Sequence, residues 1–254
     1  MSVLGMPVRR VLLVHAHPDD ETLATGATAA RLAADGVEVW LLTATRGEQG
    51  ELVPGTVPEG VDVVTHREGE LASALAALGI VRQLWLGHGP ARAEGLDPRR
   101  YADSGMVWGP DGRAAPAPDV AADALTQAPL EEVTDDVAAL LDDEDFDAVV
   151  SYDDGGGYGH PDHVRVHDAT LAAARRAGIP YFAVLSPAHD GSPPPSDGVL
   201  TVDAGDLRDR LLAARRAHAS QVTVVDDDHI RHVGGQLQRL PAVEHLLRID
   251  PPVG

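Results

Sequence analysis

Short runs of apolar residues alternate along the chain with longer stretches in which apolar positions recur every three or four residues. Residues 11–14 and, apart from Glu38, residues 37–42 are apolar runs, which are typical of strands buried on both faces of a sheet. Between them, residues 22–34 have the helical period and are followed by Gly36, a residue type that commonly ends helices. These residues therefore predict a β-α-β unit.

The same alternation continues towards the carboxyl end. We predict further helices over 65–78, 130–141, 161–177 and 207–219, and further strands over 81–86, 146–152, 181–185 and 199–202. Buried strands that alternate with helices favour an α/β fold, specifically a Rossmann-like open, mostly parallel sheet with helices on both faces. A chain of 254 residues is long enough for one large domain, and we expect residues 1–254 to form a single one.

Two segments interrupt this rhythm. Residues 88–129 are rich in Gly, Pro and Ala, and residues 186–198 contain three consecutive prolines. Long connections in a compact domain commonly shape a binding site or are solvated. We expect the first segment to be a long substrate-facing loop and the second to be a solvated linker.

Composition excludes several kinds of chemistry. The chain has no cysteine, so a bound metal must be held by histidine and carboxylate groups, and all 20 basic residues are arginine, which excludes lysine Schiff-base chemistry. The formal net charge of −20 disfavours binding to nucleic acid or to an anionic membrane. The apolar run at 11–14 is too short for an export signal, so we expect a cytoplasmic protein.

Polar side chains follow two of the predicted strands. His17, Asp19 and Asp20 come after the first strand, and His160 and His163 come after the strand at 146–152. In open α/β sheets, ligands bind outside the carboxyl ends of the strands, and a catalytic zinc site needs about three nitrogen or oxygen ligands and one open position. His17, Asp20 and His163 would supply such a set, and Asp19 would remain free as a base.

A simpler interpretation exists for the acidic residues. Asp19, Asp20 and Glu21 stand where a helix is predicted to begin, and acidic side chains stabilise the positive end of a helix. This interpretation accounts for the acids but not for His17. The sequence also leaves open whether His15 supports the site or is a hydrogen-bonded core histidine, and places His167 either near the ligands or at the surface.

Three longer motifs carry a family resemblance. AHPDDE at 16–21, TRGEQGE at 45–51 and YGHPDHVRVH at 158–167 resemble the LmbE/PIG-L family of zinc-dependent sugar N-deacetylases. Residues 67–71, 103–106, 155–167 and 217–222 are similar to the mycothiol-biosynthesis branch of that family, whose substrate is N-acetylglucosaminyl-inositol. The resemblance extends over most of the chain, from 11 to 222.

The resemblance implies a role for each matching residue. His17, Asp20 and His163 would bind one zinc ion per chain, and Asp19 would be the general base. Histidine and carboxylate sites also accept Fe²⁺, which is the alternative metal. Three further residues would assist the reaction: His160 as oxyanion stabiliser or proton donor, Asp162 as the group that orients it, and Tyr158 as a mobile side chain closing on the carbonyl. Arg67, Asp103 and Glu51 would bind sugar or inositol hydroxyls.

The expected function is metal-dependent hydrolysis of the N-acetyl amide of a small amino-sugar substrate. Within the same class, the alternatives are an amidase acting on mycothiol S-conjugates and a deacetylase of another N-acetyl sugar. From other classes, a non-catalytic metal-binding module and a dinuclear phosphoesterase remain, although the latter needs more bridging carboxylates. The sequence makes no prediction of the oligomeric state.

Overall fold

The predicted apolar runs form the centre of one sheet in the computed structural model, which describes residues 2–186, 197–240 and 242–251. The strands of the described residues are β1 (Arg10–His15), β2 (Glu38–Thr43), β3 (Arg82–Trp85), β4 (Met106–Trp108), β5 (Ala114–Pro116), β6 (Ala148–Tyr152), β7 (Tyr181–Val184), β8 (Val199–Asp203), β9 (Val222–Val224), β10 (His229–His232), β11 (Leu237–Arg239) and β12 (Val243–Ile249). The helices are α1 (Asp20–Leu23), α2 (Gly26–Ala34), α3 (Val63–Leu78), α4 (Leu130–Asp143), α5 (Pro161–Ala177) and α6 (Arg208–Ala217).

The main sheet has the strand order β3-β2-β1-β6-β7-β12-β8. Strands β1, β2, β3, β6 and β7 are parallel, whereas β12 is antiparallel to both of its neighbours. From β1 the chain first builds the sheet towards β3, and it later continues on the other side of β1 with β6 and β7. The carboxyl ends of β1 and β6 therefore flank the point where the direction of winding reverses, where open α/β sheets bind ligands.

The core lies on both faces of this sheet. Along β1, Val11 and Leu13 belong to a cluster with side chains from α2, α3 and α6, whereas Leu12 and Val14 belong to a second cluster with α4 and α5. Alternate residues of a strand point to opposite faces, so both faces of β1 are covered. The prediction of an open, mostly parallel α/β sheet with helices on both faces is confirmed.

The helix predicted over 22–34 is wrong as a single element. It is divided into α1 and α2, because the backbone leaves the helical conformation at Thr25, whose φ is −132°. A distant part of the chain supplies hydrogen-bond acceptors for the first backbone N–H groups of α2. Glu244 of β12 accepts hydrogen bonds from the backbone N–H groups of Ala27 and Thr28, at 2.7 and 2.9 Å. A carboxylate at this position also complements the positive end of the helix.

The carboxyl-terminal strands were not predicted. Strands β9, β10 and β11 form a small antiparallel sheet, and β12 then returns to the main sheet between β7 and β8. Residues 88–129 contain the hairpin of β4 and β5, and Tyr101 within this segment is fully buried. Most of the linker predicted at 186–198 lies outside the described residues. None of the described helices combines the length and apolar character needed to span a bilayer.

Candidate metal and catalytic site

The two polar clusters predicted from the sequence meet at the carboxyl edge of the sheet. His17 and Asp20 lie in the turn from β1 to α1, and His163 lies in the first turn of α5, which follows β6. His17 Nδ1 is 3.2 Å from His163 Nε2 and 3.3 Å from Asp20 Oδ2. The second oxygen of Asp20, Oδ1, is 3.4 Å from His163 Nε2. Two imidazoles and one carboxylate thus face a common point.

The two imidazole nitrogens are 3.2 Å apart, and each lies 3.3–3.4 Å from a different oxygen of Asp20, which is close to the donor spacing of a zinc site. Ligand atoms about 2.0–2.1 Å from a tetrahedral zinc ion lie about 3.3–3.4 Å from one another. The donor set is also chemically suitable, because imidazole nitrogens and a carboxylate oxygen are ordinary zinc ligands. His17, Asp20 and His163 therefore fit a divalent metal ion. A ring nitrogen of His160 lies within 4.8 Å of ring nitrogens of His17 and His163, so His160 is an alternative third donor.

Each donor is oriented by another side chain. Asp162 Oδ2 lies 3.3 Å from His17 Nε2, so the carboxylate can hold this ring with Nδ1 turned towards Asp20 and His163. Tyr152 donates its hydroxyl hydrogen to Asp20 Oδ2 at 2.7 Å, and its ring stacks on the ring of His163 with centroids 4.2 Å apart. Carboxylate partners of this kind fix the tautomer of metal-binding histidines.

Several carboxylate groups surround the two histidines of the site. Burial raises the pKa of Asp20, but His163 and His17 outweigh burial and hold that pKa well below its ordinary value. Burial lowers the pKa of His17, yet Asp103 and the other nearby carboxylates raise it well above the ordinary value. This excess of negative charge around the two histidines favours a cation.

Asp19 differs from the other acids of the site. Its carboxylate accepts no hydrogen bond from the described residues, and the residue is partly exposed. Burial and the adjacent Asp20 raise the pKa of Asp19 to about 6. An ionised carboxylate with a pKa just below neutrality and no hydrogen-bond partner can accept a proton at pH 7.

The side chains of His160 and Tyr158, at and just before the start of α5, lie close to His17 and His163. The His160 ring lies 4.5 Å from the His17 ring, and its Nδ1 accepts a hydrogen bond from the Asp162 backbone N–H at 3.1 Å. The neutral ring therefore carries its proton on Nε2. Tyr158 is 45% exposed, and its ring lies 5.2 Å from that of His163.

The structure differs from the expected role of Asp162. We expected its carboxylate to orient His160, but the carboxylate contacts His17 and accepts a hydrogen bond from the Ser104 backbone N–H at 2.9 Å. The hydrogen bond between Asp162 and His160 comes from the Asp162 backbone N–H, and an Asp162 carboxylate oxygen lies within 4.8 Å of a His160 ring nitrogen. The physical reason is that Asp162 is in the first turn of α5, where its side chain reaches His17 after β1 while its backbone N–H, which has no partner within the helix, is capped by His160 Nδ1.

The three predicted substrate contacts have different surroundings. Asp103 is 5% exposed, and its Oδ1 lies 3.6 Å from His17 Nε2, at the edge of the metal-binding cluster. Arg67 is buried and donates to backbone carbonyls of Gly47, Gly50 and Glu51, the last two at 3.0 Å. Its guanidinium thus shapes the loop that follows β2. The side chain of Glu51 is exposed on that loop.

Sequence reasoning missed Tyr152 as a site residue. Its hydroxyl, besides donating to Asp20, accepts a hydrogen bond from the Ala16 backbone N–H at 2.8 Å. Its position as the last residue of a predicted strand, at the sheet edge where His17 is also expected, is the signal that could have found it. The structure also shows the surroundings of His15 and His167, whose roles the sequence leaves open. His15 is buried, with Nε2 2.7 Å from Thr25 Oγ1, and His167 is buried beside Tyr152 and Tyr181.

Comparison with known proteins decides the family. The model of the PIG-L family, described as GlcNAc-PI de-N-acetylase, matches residues 12–174, which include every residue of the metal-binding cluster. The chain belongs to the PIG-L family. The predicted family and the prediction of a deacetylase are thereby confirmed.

Two relatives with the same name illustrate the similarity at the level of sequence. The 1D-myo-inositol 2-acetamido-2-deoxy-alpha-D-glucopyranoside deacetylase of Kineococcus radiotolerans is 41% identical over 85% of this chain and 70% of its own length. The protein of the same name from Kribbella flavida is 44% identical over 73% of this chain and 60% of its own length. The alignments thus leave part of both relatives unmatched.

Solved PIG-L structures support the fold. A deacetylase–teicoplanin complex from the teicoplanin biosynthesis pathway has a TM-score of 0.59 and 23% identity, covering 95% of this chain and 99% of that one. A zinc-inhibited form of teicoplanin deacetylase has a TM-score of 0.56 and 24% identity, covering 83% and 84%.

Proposed function

We propose that this chain hydrolyses the N-acetyl amide of N-acetylglucosaminyl-inositol, releasing acetate and the free amine, with one divalent metal ion per chain. The observation that carries the proposal is the cluster of His17, Asp20 and His163, in which the imidazole nitrogens are 3.2 Å apart and each lies 3.3–3.4 Å from one oxygen of Asp20. The carboxylate of Asp19, which accepts no hydrogen bond from the described residues, lies in the same turn. The names of the relatives at 41% and 44% identity support this substrate.

We infer that zinc is the metal, with Fe²⁺ as the alternative that the same donors accept. When bound by His17, Asp20 and His163, the ion would polarise the acetyl carbonyl and make water a stronger nucleophile.

The side chains supply the proton transfers. Asp19 accepts a proton from water as the water oxygen bonds to the acetyl carbon. His160 donates a hydrogen bond from Nε2 to the developing oxyanion, because its Nδ1 is already an acceptor for the Asp162 N–H. The C–N bond then breaks, and protonated Asp19 returns its proton to the leaving amine. In this assignment His160 stays neutral throughout, and Tyr158 adds a second hydrogen bond to the oxyanion.

The remaining assignments concern substrate binding. Asp103, whose Oδ1 lies 3.6 Å from His17 Nε2, would accept hydrogen bonds from sugar hydroxyls, and Glu51 would do so from its exposed loop. Arg67 would act on the substrate through that loop or by turning towards it. Residues 88–129, which carry Asp103, would form one wall of the substrate site. The cytoplasmic location and the organisation of residues 1–254 as one domain stay predictions.

A substrate panel tests the proposed activity. Zinc-loaded protein is incubated with N-acetylglucosaminyl-inositol, with N-acetylglucosamine and with a mycothiol S-conjugate, and acetate or amine release is measured. We expect the highest kcat/KM for N-acetylglucosaminyl-inositol. Faster cleavage of the conjugate would instead identify an amidase. Metal binding without turnover of any compound would identify a non-catalytic module.

The variant Asp19→Asn tests the general base. Asparagine keeps the size of the side chain but does not accept a proton, so we expect kcat to fall by about 10²–10⁴. Metal content should stay at the level of the unmodified protein, because Asp19 is outside the donor set. Asp168→Asn, an exposed change on α5, is the matched control. Undiminished acetate release by Asp19→Asn would reject Asp19 as the base.

A further inference from the structure

Two fully buried ionisable groups lie beneath the turn from β1 to α1 and have no part in the proposed reaction. Glu21 and His218 are both 0% exposed, and His218 Nε2 lies 2.7 Å from Glu21 Oε1. Glu21 Oε2 is buried and meets no hydrogen-bond partner among the described residues. Buried polar pairs are commonly no more stabilising than apolar residues of similar size. Stability alone therefore does not account for this pair.

Gln221 connects the pair to the turn. Its Nε2 donates to the Pro18 carbonyl oxygen at 2.7 Å and lies 3.1 Å from His218 Nδ1. A carbonyl oxygen can only accept, so the amide atom at this point is the nitrogen. His218 Nδ1 then faces a donor, and the ring donates from Nε2 to Glu21. Hydrogen bonds from Gln221 and His218 thus reach the turn at Pro18 and at Glu21, on the two sides of Asp19.

The segment that carries these two residues is itself fixed. It begins where α6 ends, and Glu70 of α3 accepts hydrogen bonds from the Ser220 backbone N–H at 2.7 Å and from Ser220 Oγ at 2.6 Å. Glu70 is only 7% exposed. The turn is therefore attached, through Gln221 and His218, to the packed helices α3 and α6.

We propose that His218 and Gln221 are positioning residues that hold the backbone on both sides of Asp19. The inference rests on the proposed role of Asp19 as the base. The carboxylate of Asp19 accepts no hydrogen bond from the described residues, so its place is set by the backbone of Pro18 through Glu21. A displacement of about 1 Å at a reacting group can cost about 10²-fold in rate.

Two pairs of variants separate positioning from simple packing. Gln221→Leu removes the amide at similar size, and Gln83→Leu is its matched control, because Gln83 Nε2 also donates to a backbone carbonyl, that of Leu84 at 2.9 Å, on edge strand β3. His218→Leu removes the donor to Glu21. His218→Gln places an amide nitrogen near the position of Nε2 and should restore that hydrogen bond.

Hydrogen exchange of the peptide covering residues 16–24 gives a readout that does not depend on activity. We expect these amides to exchange at least about 10-fold faster in Gln221→Leu and His218→Leu than in the unmodified protein, because a turn that has lost its hydrogen bonds to the helices opens more often. His218→Gln should exchange at close to the unmodified rate. Gln83→Leu should leave the rate unchanged. Exchange at unchanged rates in Gln221→Leu and His218→Leu would overturn the proposal.

Kinetics with N-acetylglucosaminyl-inositol complete the test. We expect kcat to fall by about 10–100-fold in the two leucine variants with KM within about threefold, and His218→Gln to recover most of the loss. Equal losses in His218→Leu and His218→Gln, or a normal kcat in Gln221→Leu, would contradict positioning. If the unmodified protein releases no acetate, the proposed function fails, and the exchange experiment still decides whether His218 and Gln221 hold the turn.

Discussion

At the scale of single residues, the candidate metal ligands depend on side chains that do not themselves face the metal position. Tyr152 shows this most clearly, because one hydroxyl accepts from the Ala16 backbone N–H and donates to Asp20 Oδ2. The hydroxyl therefore fixes the end of β1 and the orientation of a carboxylate ligand together. Removing one partner of such a buried pair leaves the other unsatisfied.

Tyr152→Phe is expected to weaken metal binding. The change deprives Asp20 of a donor and leaves a buried N–H without an acceptor, so we expect zinc affinity to fall by about 10–100-fold and the free energy of unfolding to fall by about 1–3 kcal/mol. Competition with a chromophoric chelator measures the affinity. Tyr181→Phe is the control, since its hydroxyl donates to the Tyr152 carbonyl but does not contact Asp20. An unchanged affinity in Tyr152→Phe would show that Asp20 needs no such support.

The sequence predicts the metal-binding residues better than their partners. His17, Asp20 and His163 stand at predicted strand ends, and a parallel sheet brings such ends to one edge, so their proximity could be inferred. Whether a given side chain then orients His17 or His160 depends on the direction in which Asp162 leaves the first turn of α5. A strand–helix pattern does not contain that direction, and the expected partner of Asp162 was wrong.

At the scale of elements, α2 obtains its amino-terminal cap from β12. Thr25, at the position before the helix, makes no capping hydrogen bond with its side chain. Glu244 accepts from the N–H groups of Ala27 and Thr28 and from Thr28 Oγ1 instead. The start of α2, where the predicted helix 22–34 is divided, is thus capped by a residue more than two hundred positions away. Local periodicity could not reveal it.

Glu244→Ala is expected to destabilise the protein by about 1–2 kcal/mol, the usual effect of losing a helix cap. Urea unfolding followed by circular dichroism measures the change. Glu59→Ala, at an exposed position outside the helices and strands, is the control and should alter stability by less than about 0.5 kcal/mol. If both variants unfold at the same urea concentration, the contact between β12 and α2 does not stabilise the fold.

The segment 88–129 is anchored to α4 by a buried network. Tyr101 donates its hydroxyl hydrogen to Asp136 Oδ2 at 2.7 Å, and Arg92 Nη1 lies 3.0 Å from the same oxygen. Burial and the negative charge of Asp136 raise the pKa of Tyr101 above its ordinary value. The folded protein thus keeps the Tyr101 proton at a pH at which the unfolded chain loses it.

This difference predicts loss of stability at alkaline pH. Above a pH of about 10 the folded state binds more protons than the unfolded state, so the free energy of unfolding falls as the pH rises. Tyr101→Phe removes this contribution, and its stability should fall less steeply between about pH 10 and pH 11. At neutral pH the variant should be less stable by about 1 kcal/mol, because a hydrogen bond is lost. Parallel slopes for both proteins would show that Tyr101 does not contribute.

At the scale of the whole molecule, the metal-binding cluster joins two parts of the sheet. His17 and Asp20 follow β1, and His163 follows β6, on the two sides of the point where the winding reverses. A ligand held by both parts binds only the folded chain with all three donors. Metal binding should therefore stabilise the fold.

Removal of metal is expected to lower the melting temperature. Zinc at about 100 times its Kd should add about 2.7 kcal/mol to the free energy of unfolding, and a chelator should remove that gain. Thermal unfolding with zinc and with chelator measures the difference. His163→Ala should show a much smaller response to zinc, and a response as large as that of the unmodified protein would place the metal elsewhere.

The parallel strands and β8 were predictable from the sequence, whereas β12, which is antiparallel to both of its neighbours, was not. Strands β1, β2, β6 and β7 are buried on both faces and appear as apolar runs, whereas β12 carries Glu244, His245 and Arg248 among its apolar residues. Polar residues weaken the strand pattern there. They are tolerated because β12 lies towards the side of the sheet where α2 and solvent meet its side chains.

The place of β12 also has a consequence for how the protein is made. A ribosome releases β7 and β8 before β12, yet β12 is the neighbour that both of them bond in the finished sheet. Until then the outer edge of β7 is open to pairing with another nascent chain. Completion of the sheet therefore has to wait until the chain has been synthesised through β12.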